Sequence, residues 1–242
     1  MTKTALIIGA GKGISGSFAK ELASEGYKVC LASRSLKNID SIASDIGGFA
    51  VEVDVSSEES IRNLFKKFQK MLGVPDVVLY NPSKRLKGEI CDLDISAARE
   101  AINVTAFGAL VAAQEASRRM ISVGKGAIFF TGATASIKGF AHSSVFAMGK
   151  FALRGLSQSL YRELSPLGIH VAHFIIDGVV KKSDLVDNSD DFTSAAIAKT
   201  FMAVLKQPKQ AWKNRTKENR SKGRVAGTVA AARATKIHIL KR

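Results

Sequence analysis

A chain of 242 residues with 46% hydrophobic and only 7% aromatic side chains can bury one α/β core of ordinary size, and its composition excludes a disordered polymer. Its formal net charge of +15 is lopsided: residues 206–242 hold twelve Lys/Arg against one acid, Glu218, and so carry +11 of it. No apolar run approaches the roughly 20 residues of a membrane-spanning helix, and "MTKTALIIGAG" is punctuated by glycine too early for a signal peptide. A cytoplasmic protein with no membrane partner is therefore expected. Cys30 and Cys91 are expected to be free thiols. The scattered histidines show no metal-ligand spacing, and His170 and His173 read as core or surface residues of an apolar strand.

In chain order, short β-like runs alternate with helical segments. The expected strands are 4–9 (TALIIG), 28–33 (KVCLAS), 49–55 (FAVEVDV), 76–81 (DVVLYN), 126–132 (GAIFFTG) and 169–177 (IHVAHFIID). The expected helices are 14–26, with Gly26 as a stop, 36–48, 56–73, opening on serine and acids as an N-terminus should, a long one over 96–122, and a second long one over 143–165 ended by Pro166 and Gly168. Five of the strands are apolar at nearly consecutive positions, as strands covered on both faces must be. The pattern predicts an α/β fold: a Rossmann-like, doubly wound parallel sheet flanked by helices, with right-handed crossovers. Residues 1–205 read as a single domain. Residues 206–242 read as a basic C-terminal tail, solvated or disordered, with "KIHIL" (236–240) the only trace of a last strand. Contact with an anionic surface is a second reading of that tail, but a nucleic-acid motif is missing.

The loop after the first strand, "GAGKGISG" (9–16), joins a strand to a helix through glycines. Such a turn lets backbone N–H groups approach a pyrophosphate at a helix N-terminus; a plain tight turn is the alternative. Gly9, Gly11, Lys12, Gly13 and Ile14 form the candidate cradle. A Walker loop is excluded because Gly13 follows Lys12. At the end of the second strand, "SRS" places Arg34 where a 2′-phosphate would lie. With Lys12, it favours NADP over NAD. Asp54 and Val55, at the end of "VDV", could hold an adenine amino group.

These features in this order resemble the short-chain dehydrogenase/reductase family over about residues 3–205. The glycine loop is similar to that family's T-G-x-x-x-G-x-G, with Ile8 at the threonine and Ser15 at the last glycine. "YNPS" (80–83) stands for N-N-A-G and keeps Asn81. "INVTAFGAL" (102–110) corresponds to the helix bearing the active-site asparagine, here Asn103. "FAMGKFAL" corresponds to the Y-x-x-x-K helix, with Lys150 at the lysine and Phe146 at the tyrosine. The serine position falls on Ala133. In "DGVVKK", Asp177 stands at the proline, Gly178 is kept and Lys182 stands at the threonine.

The resemblance implies a small-molecule carbonyl/alcohol substrate, a lysine that also holds the nicotinamide ribose, and a homo-oligomer built on the two long helices. Phenylalanine has no proton to give, and general acid/base help is worth about 10²–10⁴-fold. The expectation is thus an NADP(H)-dependent oxidoreductase with an altered proton donor, or else an NADP(H)-binding pseudoenzyme. Replacement hydroxyls or rings nearby are Tyr80, Thr131, Thr134, Ser136, His142, Ser143 and Ser144. Lys84, Arg85 and Lys87 read either as a solvated loop or as a lure for an anionic substrate.

Overall fold

A computed structural model describes residues 2–180, 193–212 and 214–219. Seven parallel strands form one sheet: β1 (Thr4–Ile8), β2 (Lys28–Ser33), β3 (Phe49–Glu52), β4 (Val77–Tyr80), β5 (Gly126–Ala133), β6 (Ile169–Asp177) and β7 (Arg215–Asn219). Their spatial order is β3-β2-β1-β4-β5-β6-β7. The chain winds outward from β1 to β3, crosses to β4, and winds outward again to β7. That reversal opens a crevice between the carboxyl ends of β1 and β4, where doubly wound sheets bind ligands.

Among the described residues, seven α-helices cover the sheet: α1 (Ile14–Ser24), α2 (Asp40–Asp45), α3 (Glu58–Leu72), α4 (Ile95–Ile102), α5 (Gly108–Val123), α6 (Ser144–Leu164) and α7 (Ser194–Leu205). Alternation along the strands divides the core in two. Ala5 and Ile7 of β1 face a cluster with Phe18, Phe129, Phe174 and Phe201, under α1 and α7. Leu6 and Ile8 face a cluster with Phe65, Phe68, Met120 and Leu153, under α3, α5 and α6. None of the described helices is long and apolar enough to cross a membrane.

The sheet and its layers match the expected fold, while some boundaries shift for local reasons. Gly26 sits one residue past the last α1 cap, at φ +81. Strand β3 ends at Glu52, so Asp54 and Val55 lie in the turn before α3. The Ser57 hydroxyl caps α3 by accepting from the Ser60 N–H. The expected 96–122 helix is one rod only in part, because Asn103–Phe107 forms a π-helical turn between α4 and α5. There the Gly108 N–H reaches back to Asn103 O. Close packing requires the glycine that ends this turn: a Cβ on Gly108 would overlap both Tyr80 Oη and Val55 O. The 36–48 helix is likewise split into a 3-10 turn and the short α2.

Two elements escaped the sequence reading. Helix α7 packs Phe201 on Phe18 and Phe174, in a stretch where the sequence pattern predicts no element. The basic stretch after 206 supplies β7, which pairs with β6 from His173↔Arg215 to Asp177↔Asn219. The expectation of no last strand before "KIHIL" is therefore corrected, and "KIHIL" itself lies outside the described residues. The segment leading into β7 is anchored by Trp212, whose ring stacks on His170 at 4.7 Å, and by Asn214 Nδ2, which donates to Ser157 O.

Candidate active site

The glycine loop sits at the β1 end of the crevice. Gly9 has φ +75, and a Cβ there would lie 2.6 Å from the Pro82 side chain, so only glycine admits the loop after β4 this close. Asn81 Nδ2 donates to Gly9 O at 3.0 Å, tying the two strand ends together. Ser15, in place of a glycine, braces the loop from inside: its Oγ accepts from the Gly11 N–H at 3.1 Å and donates to Gly9 O at 3.2 Å.

Beyond the brace, the space above Gly11 and Gly13 is open, with nothing within 4 Å of a Cβ built on either. Helix α1 begins there with no side-chain cap and no acid in its first turn. Its leading N–H groups and dipole therefore face outward, with the exposed Lys12 beside them. These features fit a pyrophosphate. Farther along, Asp54 spends one carboxylate oxygen on the Ser56 N–H and hydroxyl (2.9 and 2.7 Å). Those bonds hold its pKa below the usual carboxylate value, and Arg34 adds to the effect. Arg34 and Asp54 are thus electrostatic neighbours, both exposed at the ends of β2 and β3. Val55 is buried beneath them.

Lys150 and Phe146 form the second half of the site. Both lie on the buried face of α6, Lys150 at 2% exposure and Phe146 at 8%. Lys150 Nζ donates to Thr131 O at 2.7 Å and stands 5.8 Å from the Phe146 ring centroid. Burial pushes the Lys150 ammonium down to about 7, and the guanidinium of Arg85 adds to the shift. Arg85 lies over the Phe146 ring, 4.5 Å from its centroid. Asn103 occupies the π turn whose Thr105 accepts from the Lys84 N–H at 3.2 Å; π turns inside helices are frequent at functional sites.

A cleft of about 440 Å³ opens over Phe146, lined by Ala133 and Thr134 at the end of β5 and by Asp177 and Gly178 at the end of β6. Thr134 Oγ1 donates to Asp177 Oδ1 at 2.5 Å. A hollow of about 320 Å³ beside the start of α3 is lined by the α3 cap residues Ser57 and Ser60 and by none of the candidate site residues.

The arrangement sorts the replacement hydroxyls. Tyr80 is corrected: its ring is 1% exposed and its hydroxyl donates to Val104 O at 2.6 Å. It faces the α3/α5 core, and burial raises its pKa far above the ordinary phenol value. Ser136 is also fully buried, and its Oγ accepts from the Ala133 N–H. Thr131 Oγ1 is buried without a hydrogen-bond partner among the described residues. His142, at φ +57, precedes α6. Thr134 and Ser143 are the two that line the cleft with Phe146. The Asp177 partner was missed as a functional group, although an acid ending the apolar run "IHVAHFII" was a visible signal. Lys182 lies outside the described residues.

The family model for short chain dehydrogenases matches residues 3–193. The chain belongs to the short-chain dehydrogenase family. An uncharacterised oxidoreductase of Staphylococcus aureus is 28% identical over 216 residues, covering 86% of this chain and 92% of its own. Carbonyl reductase family member 4 of Xenopus tropicalis is 30% identical over 172 residues, 71% of this chain and 73% of its own. Among solved structures, a short-chain dehydrogenase from Rhodopseudomonas palustris superposes with a TM-score of 0.79 at 30% identity, over 90% of this chain and 98% of that one. An alcohol dehydrogenase from Thermococcus sibiricus, complexed with 5-hydroxy-NADP, shares the fold with a TM-score of 0.82 at 23% identity, over 93% and 100%. Within this dehydrogenase fold, the site keeps a lysine buried behind a phenyl ring.

The buried Lys150 makes stability pH-dependent. Its folded-state value of about 7 lies below the unfolded 10.5. The unfolded chain therefore binds more protons between those values, and unfolding free energy rises with pH across that window. The slope approaches about 1.4 kcal/mol per pH unit in the limit of one group. Urea unfolding of wild type and Lys150→Met from pH 7 to 10 should show wild type gaining on the variant as pH rises; parallel profiles would refute the lowered lysine pKa.

Proposed function

We propose that this protein is an NADP(H)-dependent oxidoreductase that interconverts a carbonyl and an alcohol without a tyrosine acid. The observation that carries the reading is the cleft over Phe146, in which the Thr134–Asp177 hydrogen bond lies at the strand ends beside a buried lysine. When bound, the dinucleotide supplies or takes up hydride at the carbonyl carbon.

The chain's own residues divide the remaining work. The Lys12, Gly13 and Ile14 N–H groups and the Lys12 ammonium would hold the pyrophosphate, within the loop shaped by Gly9 and Gly11. Arg34 would face the 2′-phosphate, and Asp54 and Val55 the adenine. Asn81, Lys150 and Gly178 would hold the ribose and nicotinamide end. Phe146 fills the phenol's place with an apolar face and keeps water from the reacting carbon. Thr134 passes a proton between the substrate oxygen and the Asp177 carboxylate, with its hydroxyl already aimed at Oδ1. Ala133 leaves room beside that hydroxyl, and Asn103, on the π turn, would serve as the family's active-site asparagine.

A homo-oligomer is also proposed. The exposed Phe107, Leu110, Met148 and Phe151, on or beside the two long helices, support it.

Fluorescence titration should show NADPH binding more tightly than NADH. Arg34→Ala should weaken NADPH about tenfold or more, as expected for loss of a charge-assisted contact, and leave NADH unchanged. Equal affinities for the two cofactors would remove the NADP preference. Against a panel of aldehydes and ketones, Thr134→Val should lower turnover by about 10²-fold with cofactor affinity intact. Binding without turnover by wild type, together with turnover by Phe146→Tyr, would favour the pseudoenzyme reading.

A further inference from the structure

The cleft over Phe146 has a strongly positive rim. Among the described residues, Arg85, Lys87 and Lys138 line it, against one acid, Asp177, which already accepts from Thr134. Of the two cations adjacent in sequence, Lys84 is neutralised by an ion pair with Glu100. Arg85 has no carboxylate partner among the described residues. Its recorded contacts are the Phe146 ring face and its repulsion of the Lys150 ammonium.

A guanidinium stacked on an aromatic ring keeps its in-plane N–H fork free for a planar oxyanion. The backbone holds Arg85 in that position from both sides. One residue before it, the Lys84 N–H donates to Thr105 Oγ1 at 3.2 Å; three residues after it, the Gly88 N–H donates to His142 O at 3.2 Å. The loop is thereby pinned to the π turn and to the residue preceding the α6 cap, so the fork requires little ordering when a ligand arrives.

We propose that Arg85 is the substrate anchor of this cleft and that the substrate is an oxo acid: a carbonyl compound whose carboxylate pairs with the Arg85 fork while its carbonyl lies over Phe146. Lys87 and Lys138 strengthen the field that draws the anion in. This rests on the reading of the cleft as the site of carbonyl chemistry. It adds the substrate's charge and the residue that selects it.

The test uses the full chain, first titrated with NADPH and then, with NADPH present, with oxamate and its neutral methyl ester by calorimetry. Oxamate should bind at least about tenfold tighter than the ester, as one charge-assisted bidentate pair warrants. Arg85→Ala should abolish the difference. Arg85→Lys, which keeps the charge and loses the fork, should fall between. Lys84→Ala should behave as wild type. NADPH binding with no preference for oxamate, or an equal loss in Lys84→Ala, would overturn the anchor and leave the cofactor reading standing. An Arg85-dependent preference in a protein that does not bind NADPH would keep the anchor and remove the cofactor reading.

Discussion

The chemistry of this molecule hangs on a reversal of winding. Because the chain returns to β4 on the far side of β1, the loops after β1 and β4 meet at a crevice instead of passing on one side of the sheet. Their meeting is close enough that Gly9 must be glycine and Asn81 can reach its carbonyl. The same parallel order brings the ends of β5 and β6 alongside, and with them Ala133, Thr134 and Asp177. Residues far apart in sequence thereby line one edge of the sheet.

Into that edge the fold inserts a buried cation. Lys150 is costly to hold at 2% exposure, and one bond to Thr131 O offsets the cost only in part. Its depressed pKa is the physical record of that imbalance. Phe146 adds no hydrogen bond of its own, but its ring face attracts cations, and two of them, Lys150 and Arg85, lie against it. A phenylalanine at this position therefore reorganises the electrostatics around it. The ring at this position has charges for partners, and Thr134 is a hydroxyl residue that lines the same cleft.

Much of this was legible in the sequence. The apolar strands and the glycine loop define a doubly wound sheet and the edge where its candidate site lies, because periodicity and turn chemistry are local signals. What was not legible is what depends on tertiary contact. Tyr80 looked available until its hydroxyl was found on Val104 O, on the core side of the sheet. The 96–122 helix gave no hint of its π turn, beside which Gly108 abuts Tyr80 and Val55. Strand β7 was hidden because "RTKEN" has no apolar alternation, and its pairing with β6 is made by the backbone. Arg85 read as one charge in a basic loop; only its seat on Phe146 separates it from Lys84.

The central claim is that the cleft over Phe146 reduces a carbonyl without a phenol. The most direct measurement is isotopic. Wild-type protein would be incubated with 4-deuterated NADPH and a panel of aldehydes, ketones and oxo acids, and the products examined by NMR. The account predicts deuterium on the carbinol carbon of a product formed by wild type, with the rate reduced when Thr134 is replaced. Deuterium transfer by Phe146→Tyr alone, with none by wild type over the same panel, would contradict it.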